Sequence, residues 1–122
     1  MKQILIIEDH LQSLKLERDL LLNAGYGVLE AGNAEDGIGI AIEKQPDMIL
    51  IDIQLPEMDG LHAIEILKKD SRTKKIPCII VTASIAEREI KEYCISNCDG
   101  YITKPINTRT FVKEVEQYIS LI

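Results

Sequence analysis

Four-residue apolar runs that stop at a carboxylate occur twice in this chain: Ile4-Leu5-Ile6-Ile7 meets Glu8-Asp9, and Met48-Ile49-Leu50-Ile51 meets Asp52. A short uninterrupted apolar run bounded by polar residues reads as a strand covered on both faces, the condition of a parallel sheet. Parallel strands bring their C-terminal ends to one edge. Glu8, Asp9 and Asp52 are therefore expected side by side at the edge where open α/β sheets do their chemistry.

Strand and helix signals alternate along the rest of the chain. A Leu-rich helical segment runs from Leu11 to Ala24 and is stopped by Gly25, the residue favoured just past a helix. Tyr26 to Ala31 reads as the second strand. Asn33 suits an N-cap, and Ala34, Ile38, Ala41 and Ile42 follow helical spacing until Pro46. Gln54 to Gly60 is a loop holding Pro56 and the Asp59-Gly60 turn pair, and a helix from Leu61 to Lys69 follows. Cys78 to Thr82 is the fourth strand. Ser84-Ile85-Ala86-Glu87 forms a capping box for a helix whose inner positions include Ile90, Tyr93 and Cys94. Gly100 to Thr103 is a short fifth strand. The last helix starts at about Thr108, with Phe111, Val115, Tyr118 and Ile122 on one stripe and Val112 and Ile119 beside it.

The pattern is (βα)5, an α/β fold with a doubly wound, flavodoxin-like, five-stranded parallel sheet. Right-handed crossovers permit few topologies. The common order 2-1-3-4-5 sets strands one and three together at the switch point, and those are the strands that end in acids. With no linker or repeat, residues 1–122 read as one domain.

Composition narrows the function classes. A chain 46% hydrophobic and 28% charged is that of a globular protein. No apolar run approaches the ~20 residues needed to cross a bilayer, so membrane insertion is not expected. Met1-Lys2 leads straight into the first strand without room for a signal peptide, which makes a cytoplasmic location the expectation. A net charge of -6 argues against direct nucleic-acid binding. Cys78, Cys94 and Cys98 are an odd set without a disulfide framework. Cys94 and Cys98 are spaced for a thiol pair, but His10 and His62 complete no zinc motif, and buried free thiols are the expectation.

Like charges ~4 Å apart repel by about 4 kcal/mol at an effective dielectric of 20, so the acidic edge needs a proton or a cation. Hard carboxylate oxygens suit Mg²⁺, which commonly bridges to phosphate. Thr82 ends the fourth strand with a hydroxyl, small Ala83 leaves space beside it, and Lys104 follows the fifth strand with an ammonium. Each has a plainer use: Glu8-Asp9 as a helix cap with His10 at the helix start, Asp52 as a turn former, Thr82 as a β-branched strand residue, Lys104 as a solvated charge. Agreement of four strand ends argues for a phosphoryl site, which needs little beyond positioning and charge neutralisation. A carboxylate can be the covalent acceptor.

Glu8-Asp9, the segment Asp52-Ile53-Gln54-Leu55-Pro56-Glu57-Met58-Asp59-Gly60, Thr82-Ala83 and Tyr101-Ile102-Thr103-Lys104-Pro105 together resemble the receiver domain of two-component response regulators, in order and across the whole chain. The resemblance implies that Asp52 accepts a phosphoryl group from a sensor histidine kinase or a histidine phosphotransfer protein. It implies Mg²⁺ held by Asp9, Asp52 and the Gln54 backbone carbonyl, with Glu8 acting mainly through water. Lys104 would pair with the phosphoryl group, the Thr82 hydroxyl would move to bond it, and Tyr101 would turn inward. The face of the fourth helix, fifth strand and fifth helix would then change for a downstream protein target. The Lys104-Pro105 bond is cis in that family. Gln54 and Ser84 fall at rate-tuning positions, and His10 replaces a small polar residue at the rim.

On this reading the protein is a switch that catalyses its own phosphotransfer and slow dephosphorylation, not a turnover enzyme. An aspartyl phosphohydrolase would want a second Asp where Gln54 stands, and a dinucleotide-binding domain would want a Gly-rich turn where Glu8-Asp9-His10 stands. A binding-only module is the remaining alternative. The chain is similar to stand-alone chemotaxis and cell-cycle receivers, and its Tyr101-to-Asn107 segment also to receivers fused to hybrid histidine kinases.

Overall fold

A computed structural model describes residues 1–83, 92 and 98–119. Five parallel strands, β1 (Gln3–Ile7), β2 (Gly27–Ala31), β3 (Met48–Ile51), β4 (Cys78–Thr82) and β5 (Gly100–Thr103), form one sheet in the order β2-β1-β3-β4-β5. The described helices are α1 (Leu11–Asn23), α2 (Ala34–Lys44), α3 (Gly60–Lys69) and the C-terminal helix, α4 here (Phe111–Ile119). The expected fold class and strand order are those observed.

Successive strand residues point to opposite faces, and the core divides accordingly. Leu5, Ile7, Ile49, Ile51, Cys78 and Ile80 pack with Ala34, Ala41, Ala63, Ile64 and Leu67 of α2 and α3. Ile4, Ile6, Met48, Leu50, Ile79, Val81 and Ile102 pack with Leu14 and Leu21 of α1 and Phe111, Val115 and Ile119 of α4. Strands covered on both sides leave no polar alternation, which is why their sequences read as continuous apolar runs.

Element ends differ from the sequence reading for local reasons. Gly25 takes a φ of +96° past α1, as a helix-stopping glycine should. The Tyr26 N–H then donates to the Leu21 carbonyl at 3.1 Å, so β2 begins one residue later, at Gly27. Asn33 caps α2 through the Asp36 N–H, as expected. Asp59 is more than a turn former: its side chain accepts from the His62 N–H at 2.9 Å and caps α3, which Gly60 opens. At the last helix, the Asn107 side chain accepts from the Arg109 N–H at 2.9 Å. That local bond makes a turn of Thr108 to Thr110, and the helix starts at Phe111 instead of Thr108. Its inner stripe is Phe111, Val115 and Ile119, while Tyr118 lies at the flank. The helix expected after Ser84, with Ile90, Tyr93 and Cys94, and the stripe position Ile122 lie outside the described residues.

At the N-terminal edge of the sheet, Lys68 Nζ donates to the Ile76 carbonyl at 2.8 Å and to Asp99 Oδ2 at 2.7 Å. The same Asp99 oxygen accepts from the Cys78 N–H at 2.8 Å. Cys78 and Cys98 are free thiols, and burial pushes the Cys78 thiol up to about 12.

Candidate phosphoryl site

Strand parity assembles the site. Glu8, Asp52 and Lys104 each continue the alternation of Ile6, Leu50 and Ile102, the face that α1 and α4 cover. Parallel registry brings them level: Ile7 pairs with Ile51, and the Asp52 N–H donates to the Ile7 carbonyl at 3.1 Å. Glu8, Asp9 and Asp52 each present a carboxylate oxygen within 4.8 Å of the others. Glu8 is 2% and Asp52 8% exposed, whereas Asp9 faces solvent.

Lys104 joins the cluster. Its ammonium donates to Asp52 Oδ2 at 2.8 Å and to Glu8 Oε1. Burial works against the charge of Lys104, but the bonds to Asp52 and Glu8 more than offset it, so its pKa rises and the ammonium stays charged. Burial raises the Glu8 carboxyl, only partly countered by Lys104 and by the His10 N–H, which donates to Glu8 Oε2 at 3.2 Å.

The loop after β3 fixes Asp52 from the other side. The Gln54 N–H donates to Asp52 Oδ1 at 3.0 Å, so one carboxylate oxygen answers to the loop and the other to Lys104. Gly60 lets α3 approach closely: a Cβ there would lie 2.3 Å from the Asp52 carbonyl oxygen. The Gly60 N–H donates to the Ile53 carbonyl at 2.9 Å, tying the two ends of the loop.

Thr82 is buried at the end of β4, paired in register with Thr103. Ala83 is exposed beside it. Tyr101 is 36% exposed on β5, and its carbonyl accepts from the Tyr118 hydroxyl at 3.3 Å. The Lys104-Pro105 peptide is cis. His10, expected at the helix start and at the rim of the site, is the N-cap itself: its Nδ1 accepts from the Ser13 N–H. Glu8 and Asp9 do not cap α1. Ser84 lies outside the described residues.

Sequence reading passed over Glu17. It is 2% exposed, and burial, reinforced by the charge of Glu8, pushes its carboxyl up to about 8. The signal was a lone acid on the Leu14–Leu21 stripe of α1, where helical spacing calls for an apolar residue.

Chemically, the edge offers an oxygen nucleophile, hard oxygens for a divalent ion and a charged ammonium within bonding distance of the nucleophile. The sequence pattern of the response regulator receiver domain matches residues 4–116. The polar-differentiation response regulator DivK of Brucella anthropi is 36% identical over 118 residues, covering 97% of this chain and 96% of that protein. A CheY-like response regulator receiver domain protein from Methanospirillum hungatei JF-1 superposes with a TM-score of 0.90 at 28% identity, covering 98% of this chain and 94% of that one. The receiver domain of a sensor histidine kinase from Pseudomonas aeruginosa PAO1, with a magnesium ion coordinated in its active site cleft, has a TM-score of 0.88. At 23% identity over 98% of both chains, that last likeness shows the fold.

Proposed function

The chain belongs to the response regulator receiver domain family, and on that premise we propose that it is a phosphorylation-operated signalling switch whose acceptor is Asp52. The observation that carries this reading is Lys104 Nζ bonded at once to Asp52, at 2.8 Å, and to Glu8.

The donor is a phosphohistidine on a sensor histidine kinase or a histidine phosphotransfer protein. An Asp52 carboxylate oxygen attacks phosphorus, the P–N bond breaks as the P–O bond forms, and the electron pair leaves with the imidazole. Lys104 turns from the carboxylate to the new phosphoryl oxygens and neutralises part of their charge. The Gln54 amide keeps the acceptor from rotating, which preserves the in-line approach.

Three clustered carboxyls, two of them bonded to one ammonium, fit a hard divalent ion, and their oxygens lie close enough to share one. Asp9, Asp52 and the Gln54 carbonyl would hold Mg²⁺, with Glu8 acting through water. The bound ion would supply charge neutralisation for the phosphoryl oxygens.

Thr82 then bonds the phosphoryl group through its hydroxyl, Tyr101 turns inward, and the face built on β5 and the C-terminal helix changes for a downstream protein. Gln54, exposed at the rim, is a candidate for tuning hydrolysis of the acyl phosphate. The protein acts as a switch and not as a turnover enzyme.

The test is incubation with acetyl phosphate and Mg²⁺ followed by intact mass measurement. One added phosphoryl group in the wild type and none in Asp52→Asn supports the assignment. An unmodified wild-type mass favours a binding-only module.

A further inference from the structure

Leu14, Glu17 and Leu21 form the buried stripe of α1. A leucine at the middle position would suit that stripe, yet an acid stands there, and among the described residues its Oε2 has no hydrogen-bond partner. A buried polar group left unpaired is destabilising, and departures from local rules concentrate at functional sites.

Glu17 also lines a cavity of about 120 Å³ with Ser13, Leu16, Lys104, Pro105 and Ile106. Lys104 is the one cation among these residues, and it is the ammonium that bonds Asp52 and Glu8. An ammonium carries three donors, and Asp52 and Glu8 take two of them. The cavity leaves the lysine room on the Glu17 side.

We propose that Glu17 is a positioning residue for Lys104: its carboxyl gives the ammonium a second station on the cavity side, so that Lys104 can leave Asp52 when that carboxylate must act as nucleophile. The inference rests on Asp52 being the acceptor. While Lys104 bonds Asp52 Oδ2, it draws charge from the carboxylate and makes it a poorer nucleophile. A buried acceptor nearby lowers the cost of moving the ammonium aside. The carbonyl oxygen of Glu17 accepts a hydrogen bond whether the acid is protonated or ionised, so the station is open in both states.

Glu17→Gln keeps an acceptor oxygen at this position, and Glu17→Leu removes it. The measurement is the rate of Asp52 phosphorylation against acetyl phosphate concentration, read by intact mass in saturating Mg²⁺, with unfolding midpoints for each variant. Glu17→Leu should phosphorylate on the order of fivefold more slowly at saturating donor, with the half-saturating donor concentration unchanged. Glu17→Gln should stay near the wild-type rate, and Glu17→Leu should unfold at a higher midpoint. Equal rates in all three proteins, or a change confined to the half-saturating concentration, would overturn the role. Should Glu17→Leu fail to fold, Glu17→Met carries the same prediction. A wild type that takes no phosphoryl group refutes the Asp52 assignment instead, which keeps the two failures apart.

Discussion

The Tyr118 ring occupies the space that a side chain at Gly100 would need: a Cβ on Gly100 would fall 2.2 Å from Tyr118 Cε1. The Tyr118 hydroxyl meanwhile donates to the Tyr101 carbonyl at 3.3 Å, so one ring holds two consecutive residues of β5. Gly100→Ala should expel the ring and cost about 1–2 kcal/mol. Once Tyr118 is truncated to Ala, the same change should cost little. A double-mutant cycle by urea unfolding measures this coupling, and additive losses would show that the two residues act independently.

Gly60 has less room to adjust, because its neighbour is backbone. Gly60→Ala should destabilise the fold by about 2 kcal/mol or more, since the Asp52 carbonyl cannot swing away as a side chain can. The displaced loop should also loosen the Gln54 amide from Asp52 and weaken Mg²⁺ binding. Calorimetric titration with Mg²⁺ beside an unfolding curve checks both effects.

Glu17 makes stability depend on pH. Its carboxyl titrates at about 8 when folded and near 4.5 when unfolded, so the native state binds the extra proton between those values. Stability is then highest below the unfolded value, falls as pH rises from 4.5 towards 8, and levels off above. A shift of this size corresponds to at most about 5 kcal/mol. In EDTA, the difference in unfolding free energy between wild type and Glu17→Gln should grow in favour of the glutamine from pH 5 to pH 8. A pH-independent difference would contradict the assignment.

Lys104→Met removes the ammonium from two buried carboxyls. Phosphorylation by acetyl phosphate should slow by about tenfold or more. The fold should survive with a loss of about 2 kcal/mol, limited because Glu8, already raised by burial, takes up a proton. Circular dichroism and a rate measurement together decide this. An unchanged rate would reduce Lys104 to a structural counter-ion.

The sheet and its acids were legible because strands buried on both faces leave uninterrupted apolar runs, and because parallel strands end on one edge. Glu8, Asp9, Asp52 and Lys104 needed no more than that. His10 was harder, since an imidazole cap depends on a ring nitrogen meeting the Ser13 amide, and no spacing rule announces it. Tyr118 lies beside the stripe because Ile119 completes the i, i+4, i+8 row of Phe111 and Val115, while the tyrosine ring covers Gly100 and its hydroxyl bonds the Tyr101 carbonyl. Glu17 is harder: an acid in a leucine-rich helix is ordinarily assigned to the solvent side, and its place between Leu14 and Leu21 is the one clue in the sequence that it lies inside.

The alternation that sets Glu8, Asp52 and Lys104 on one face also makes the site sensitive to chain length. Inserting one residue between Leu50 and Asp52 would carry the acceptor through the sheet to the α2 and α3 side, out of reach of its lysine. Inserting two would return it to the original side, one pleat higher.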